Sequence, residues 1–213
     1  MRLASQVCLA AVLLTGTAGM AQAIQPYQGP PRTGYDDTYQ RHFGFYIRPD
    51  LGFGYLTSTG PGVTISGLAG LTGIAIGGAI RENSILAVHI IGAAVQNPGM
   101  SSGGLSATAN DTTVTLWGIG PQYTHYFMPS DLYLSTTLAL TRLHSSNGNN
   151  SGDSDWGVGT RIAVGKEWWV SDHWGLGVAG HISFSSNQDP VAGGGSNRWT
   201  SWTFGATFSA TYN

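Results

Sequence analysis

Residues 156–184 read Trp-Gly-Val-Gly-Thr-Arg-Ile-Ala-Val-Gly-Lys-Glu-Trp-Trp-Val, then Ser-Asp-His, then Trp-Gly-Leu-Gly-Val-Ala-Gly-His-Ile-Ser-Phe. The even positions Trp156, Val158, Ile162, Val164, Trp174, Leu176, Val178, Ile182 and Phe184 form one apolar face. The odd positions are small, polar or charged, among them Arg161, Glu167, His181 and Ser183. A period of two is the signature of a strand, whose successive side chains point to opposite faces. Two such strands joined by the polar Ser171-Asp172-His173 turn make a long hairpin. Its apolar face needs a partner, and no other part of the chain looks like the second half of a soluble core.

An apolar band with Trp at both rims fits a wall that faces lipid. Composition agrees. Only 9% of the 213 residues are charged, and 32 are Gly. Soluble domains carry roughly 25% charged residues. Residues 1–23 have the pattern of a secretory signal: Arg2, an apolar run from Val7 to Leu14, and Ala21-Gln22-Ala23 as a small-residue cleavage site. That apolar run is too short to span a bilayer core of about 30 Å. Cleavage there removes Cys8, the one cysteine, so disulfides and thiol chemistry are not expected. The mature chain then has a net charge near −3 and no basic patch to hold nucleic acid. Residues 24–42, with Pro26, Pro30 and Pro31, read as a periplasmic tail.

From residue 43 onward the alternation recurs eight times. The first strand, Phe43 to Thr57, sets Phe43, Phe45, Ile47, Leu51, Phe53 and Tyr55 against Tyr46, Arg48 and Asp50. Pro49 within it predicts a local bulge. Ser58 to Gly62 is a turn. In residues 63–80 the apolar positions drift from odd (Val63, Ile65) to even (Ile74, Ile76, Ile80). That drift predicts a second bulge, with a Gly-rich transmembrane helix as the rival reading. Further strands run Ser84–Gln96, Thr112–Phe127, Leu132–Leu143, the opening pair, and Trp199–Tyr212. Turns near 81–83, 129–131 and 171–173 are short, while those near 97–110, 145–155 and 187–197 are long. This reads as an all-β, eight-stranded, antiparallel up-and-down transmembrane barrel over residues 43–213. Aromatic residues fall near both ends and are expected to form two girdles. One comprises Tyr126, Phe127, Tyr133, Trp168, Trp169 and Trp174, the other Trp156, Phe184, Trp199 and Trp202.

With signal, strand count, turn alternation and an amphipathic last strand in place, residues 43–213 resemble the small eight-stranded outer-membrane barrels of Gram-negative bacteria, the OmpA/OmpX-like and OmpW-like group. The resemblance implies an outer-membrane location, contact with outer-membrane lipids and lipopolysaccharide, and reading of the C-terminal strand by the barrel assembly machinery. Here Asn213 follows the terminal aromatic Tyr212, a departure from the group's usual ending. A barrel that closes its own edges is expected to be a monomer.

Eight strands leave an interior that side chains can fill. Arg48, Asp50, His89, Arg161 and Glu167 are expected to face it as an ion-pair cluster that closes the lumen. The leading expectation is a structural or surface-interaction protein. The alternative is a narrow channel for small or apolar solutes lined by the same residues. A third reading is enzymatic. His181-Ile182-Ser183 resembles the His-x-Ser pair of outer-membrane lipid A deacylases, but that family's downstream Glu is missing, so no catalytic residue is assigned. Residues 147–155 resemble a calcium loop without the Glu that belongs at its twelfth position, so neither metal nor cofactor is expected.

Overall fold

The computed structural model describes residues 41–148, 150–190 and 195–213. The expected signal and most of the tail lie outside them. Eleven strands follow in chain order: β1 (Phe45–Gly60), β2 (Val63–Arg81), β3 (Ser84–Gln96), β4 (Gly99–Ser102), β5 (Leu105–Thr108), β6 (Thr113–Phe127), β7 (Leu132–Ser146), β8 (Ser151–Asp153), β9 (Gly157–Trp169), β10 (Trp174–Pro190) and β11 (Ser196–Tyr212). Eight form a closed antiparallel barrel in the order β1-β11-β10-β9-β7-β6-β3-β2, with β2 pairing back onto β1. The other three stand above one end. Hairpin β4–β5 continues from the start of β2, and β8 adds to the end of β7.

The register fixes the barrel's shape. From Leu56, direct partners lead through Thr203, Ser183, Arg161, Thr137, Gln122 and Ala87 to Gly77 of β2. Leu56 itself pairs with Gly67 of β2, ten residues away from Gly77. That stagger tilts eight strands by roughly 40° to the axis, within the usual range. Every residue on this path faces the lumen, so parity holds all the way round.

The opening hairpin behaves as its alternation requires. Val158, Ile162, Val164 and Leu176 are exposed on the outer wall, while Arg161, Ala163, Glu167 and Ala179 are buried inside. Glycine makes room for the larger inward groups. A side chain at Gly165 would run into the Tyr133 ring, and one at Gly175 into the Glu167 carboxylate.

Three expectations need correction. Residues 63–80 form no helix, and the strand carries no bulge between Val63 and Gly78, where the parity drift placed one. The β1–β2 register runs unbroken from Phe45↔Gly78 to Gly60↔Val63, and Ile65 and Leu71 lie on the inward face. The drift arose because the inside of the barrel is itself apolar near that end. The only register shift on β2 lies at Ala79–Arg81, at the short-turn end. Pro49 produces no bulge either. Pairs Ile47↔Tyr212 and Asp50↔Ser209 share one register on either side of it, and its missing N–H leaves a gap in the ladder toward β11. The loop expected at 97–110 is an ordered hairpin. At the β1–β2 turn the strands run to Gly60 and from Val63, leaving Pro61-Gly62 between them. Gly62 takes a φ of 74°, which suits a residue without Cβ.

Candidate functional site

The lumen is filled in three storeys. The middle one is ionic. Successive inward positions on β1 supply Arg48 and Asp50. Asp50 Oδ1 accepts a hydrogen bond from Arg161 Nη2 at 3.3 Å, and its Oδ2 lies 3.6 Å from His89 Nε2. Gln122 Nε2 donates to His89 Nδ1 at 2.9 Å, which leaves the ring proton on Nε2, facing Asp50. Thr137 Oγ1 sits 2.9 Å from the same Nδ1. Arg161 Nη2 also donates to His181 Nδ1 at 3.2 Å. Arg48 Nη2 donates to Gln122 Oε1 at 3.4 Å, and its guanidinium lies 4.8 Å from the centre of the Tyr133 ring. Arg48, Asp50, His89, Arg161 and Glu167 are all buried. Their two cations and two carboxylates balance, as buried charges must.

Glu167 does not join the belt. It lies one storey down, toward the short turns, accepting from Thr211 Oγ1 at 2.7 Å and Tyr126 OH at 3.2 Å. Tyr46, Tyr126 and Tyr133 belong to the buried cluster at this level, with the hydroxyls of Tyr46 and Tyr126 3.4 Å apart. His42 closes this floor from below. Its ring stacks on Tyr126 at 3.5 Å between centroids and lies 4.9 Å from Trp169. His42 N donates to Asn83 Oδ1, Asn83 N returns a bond to His42 O, and Asn213 Nδ2 donates to His42 Nδ1 at 2.9 Å. Burial pushes the His42 imidazole down to about 3, so it is neutral at ordinary pH. Asn213, a departure in sequence, thus clamps the segment that seals the barrel mouth. Gly44, at a φ of 80°, turns the chain from this seal into β1, and Phe43 packs against the floor and does not begin an outward strand face.

The upper storey is apolar. Leu56, Ala69, Leu71, Val95, Val114, Leu116 and Leu143 form one buried cluster, with Ile65 and Trp199 against it. Between this roof and the belt lies a cavity of ≈ 30 Å³ bordered by Leu71, Leu116, Arg161, His181, Ser183 and Thr203. A second, of ≈ 10 Å³, touches Asp50, His89 and Arg161. These hold one or two water molecules at most.

Six of the girdle residues face outward: Phe127, Trp156, Trp168, Trp174, Phe184 and Trp202. Trp156 meets Trp117 edge-on at 5.1 Å, and Phe184 lies 4.9 Å from Trp202. The other four do not belong to the girdles. Tyr126 and Tyr133 are buried in the floor, Trp169 packs on His42, and Trp199 leans over the roof. Each of the four has inward parity on its strand. Lys166 faces outward, with its Nζ donating to Ser130 O at 2.5 Å and lying 5.7 Å from the Trp168 ring.

His181 and Ser183 both face the lumen, but His181 Nδ1 is engaged by Arg161. Residues missed in the sequence include Gln122, Thr137, His42 and the apolar roof. Inward parity marked Gln122 and Thr137, though nothing in the sequence showed that they would meet His89.

Fold and filling together define a small transmembrane barrel with an apolar outer wall and side chains packed inside it. No protein-family model matches the chain, and no curated protein does. Solved structures do. Neisserial surface protein A matches with a TM-score of 0.50 at 15% identity, over 78% of this chain and 95% of that one. OprG from Pseudomonas aeruginosa gives 0.44 at 11% identity, over 82% and 98%. Ail of Yersinia pestis gives 0.42 at 7%, over 78% and 98%. This chain has the fold of the eight-stranded bacterial outer-membrane barrels.

Proposed function

We propose that this protein sits in the bacterial outer membrane as a closed barrel and acts through its surface. The long-loop end faces outward, and the short turns face the periplasm. The observation that carries the reading is the filled lumen. His42 and the tyrosines seal one end, the Asp50–Arg161–His89 belt fills the middle, and the apolar roof covers the top. The cavities of ≈ 30 and ≈ 10 Å³ beside Arg161 have room for only one or two water molecules, which speaks against a solute path. On this reading the barrel wall contacts lipid and lipopolysaccharide, the last strand is what the assembly machinery engages, and the part outside the membrane is where function resides. Chemistry at His181 and Ser183 is not part of it, because His181 Nδ1 accepts from Arg161 and not from a serine hydroxyl.

The test is conductance of the mature chain in a planar bilayer, with insertion confirmed by a heat-dependent gel shift. Silence is expected. Steady, reproducible openings that change in Arg48→Ala or Glu167→Ala would replace this reading with a narrow channel.

A further inference from the structure

Through the middle of the barrel, six of the eight wall ladders are unbroken. The other two each skip two pairs. Between β1 and β11 the register passes from Ile47↔Tyr212 straight to Asp50↔Ser209, and between β6 and β7 from Ile119↔Leu140 straight to Gln122↔Thr137. A proline sits in each gap, Pro49 in one and Pro121 in the other. On their other sides both prolines keep their pairs, Pro49↔Ile74 and Val88↔Pro121, so each missing N–H faces the broken ladder. The carbonyl opposite loses its donor, in a wall where lipid offers no replacement.

The two gaps divide the barrel evenly. In the closed order β1-β11-β10-β9-β7-β6-β3-β2, they lie opposite each other with four strands on either side. The first half is β1, β2, β3 and β6, and the second is β7, β9, β10 and β11, so the division also separates the earlier part of the chain from the later. Both gaps lie at the level of the ionic belt. Pro49 stands between Arg48 and Asp50, and Pro121 precedes Gln122, to which Arg48 donates. The belt follows the same division. Asp50 faces His89 within the first half, and Arg161 donates to His181 within the second. Across the two, Arg161 pairs with Asp50 at 3.3 Å, and Thr137 stands beside His89. At the short-turn end the seams differ. The chain itself crosses from β6 to β7 through residues 128–131. β1 and β11 have no such link, and there Asn213 Nδ2 donates to His42 Nδ1 at 2.9 Å.

We propose that the barrel consists of two four-stranded halves that move as units, hinged along β6–β7 and parting along β1–β11, with Asp50–Arg161 as the tie between them. A ladder that lacks hydrogen bonds opens before its neighbours, and the cooperative units of a protein are bounded by such weak lines. One weak ladder would only fray. Two on opposite sides at one height let each half move without breaking its own ladders. The tie acts on both seams at once, because its side chains meet in the lumen between the halves. That separates this device from two local defects at prolines.

The test is backbone amide exchange of the full mature chain in lipid nanodiscs, read residue by residue by NMR, with folding checked by the gel shift. At belt level, amides of β1–β11 and β6–β7 should exchange about tenfold faster than those of β2–β3 and β9–β10, as the loss of ladder hydrogen bonds requires. Asp50→Asn should speed both seams about tenfold further and leave the ladders inside each half unchanged. Seams as protected as the other ladders, speeding near Pro49 alone, or speeding of all ladders alike would overturn the proposal. A second variant keeps the tie and its charges. In the cysteine-free mature chain, Leu51→Cys with Phe208→Cys, a direct and outward-facing pair across β1–β11, is closed by a short thiol cross-linker. The cross-link should slow exchange at β6–β7, on the far side of the barrel, by a similar factor. Slowing confined to β1–β11 would also overturn the proposal. These rates do not depend on what the loops bind or on whether the lumen conducts, so this inference is decided separately from the function proposed above.

Discussion

Asp50 is the keystone of the lumen, and a double-mutant cycle with Arg161 measures it. The carboxylate and guanidinium are 5% and 8% exposed and 3.3 Å apart. Removing one partner leaves the other charged and buried, which costs about 3–5 kcal/mol. Asp50→Asn keeps the shape but removes the charge facing both Arg161 and His89. Arg161→Met removes the cation and leaves Asp50 with His89, whose ring is 3.6 Å away. Each single variant should therefore lose about 3 kcal/mol or more. The double variant should lose much less than the sum, because no uncompensated charge remains on this pair, and a coupling of about 2 kcal/mol is expected for contacting groups. The assay is urea unfolding from phospholipid vesicles, followed by gel mobility and tryptophan emission. Additive losses, with no recovery in the double variant, would refute the idea that these two charges hold each other in place. Arg48→Met offers a contrast, since Arg48 leans on Gln122 and the Tyr133 ring and has no contact ion pair with Asp50 among the salt bridges of the belt.

Two further outcomes test the wall and the seal. Leu138 is 62% exposed on the outer wall, next to the buried Thr137, so Leu138→Arg should cost about 2–4 kcal/mol in vesicle unfolding, as a cation placed at mid-bilayer does; a loss under about 0.5 kcal/mol would place that face elsewhere. The His42 seal should depend on pH. Its seated pKa of about 3 lies below the ordinary 6.5, so the released segment binds a proton first and seating is fully favoured above about pH 6.5, weakening as pH falls toward 3. The emission of Trp169, taken as the difference between wild type and Trp169→Phe, should change over that range, and His42→Phe should abolish the change.

The sequence by itself determined everything that rests on a period of two. Strand number, the inward set Arg48, Asp50, His89, Arg161 and Glu167, and the outward faces of β9 and β10 all follow from local alternation, because neighbouring side chains on a strand point to opposite sides whatever the rest of the chain does. The heights of the aromatic residues followed from the positions of the turns. At Tyr126, Tyr133, Trp169 and Trp199 nearness to a turn suggests a girdle, but inward parity decides the face. At residues 63–80 the reading failed because the lumen roof is as apolar as the wall, and hydrophobicity alone cannot separate two apolar faces. What only the tertiary structure decided is which inward residues share a level. That depends on a ten-residue stagger accumulated over eight strand pairs, and no short stretch of sequence contains it. The stagger sets Arg161 against Asp50, 111 residues away, places Glu167 with the tyrosines of the floor, and gathers Leu56, Leu71, Leu116 and Leu143 into one roof. The seal by His42 comes from closure as well, since it fills the mouth that a closed barrel leaves.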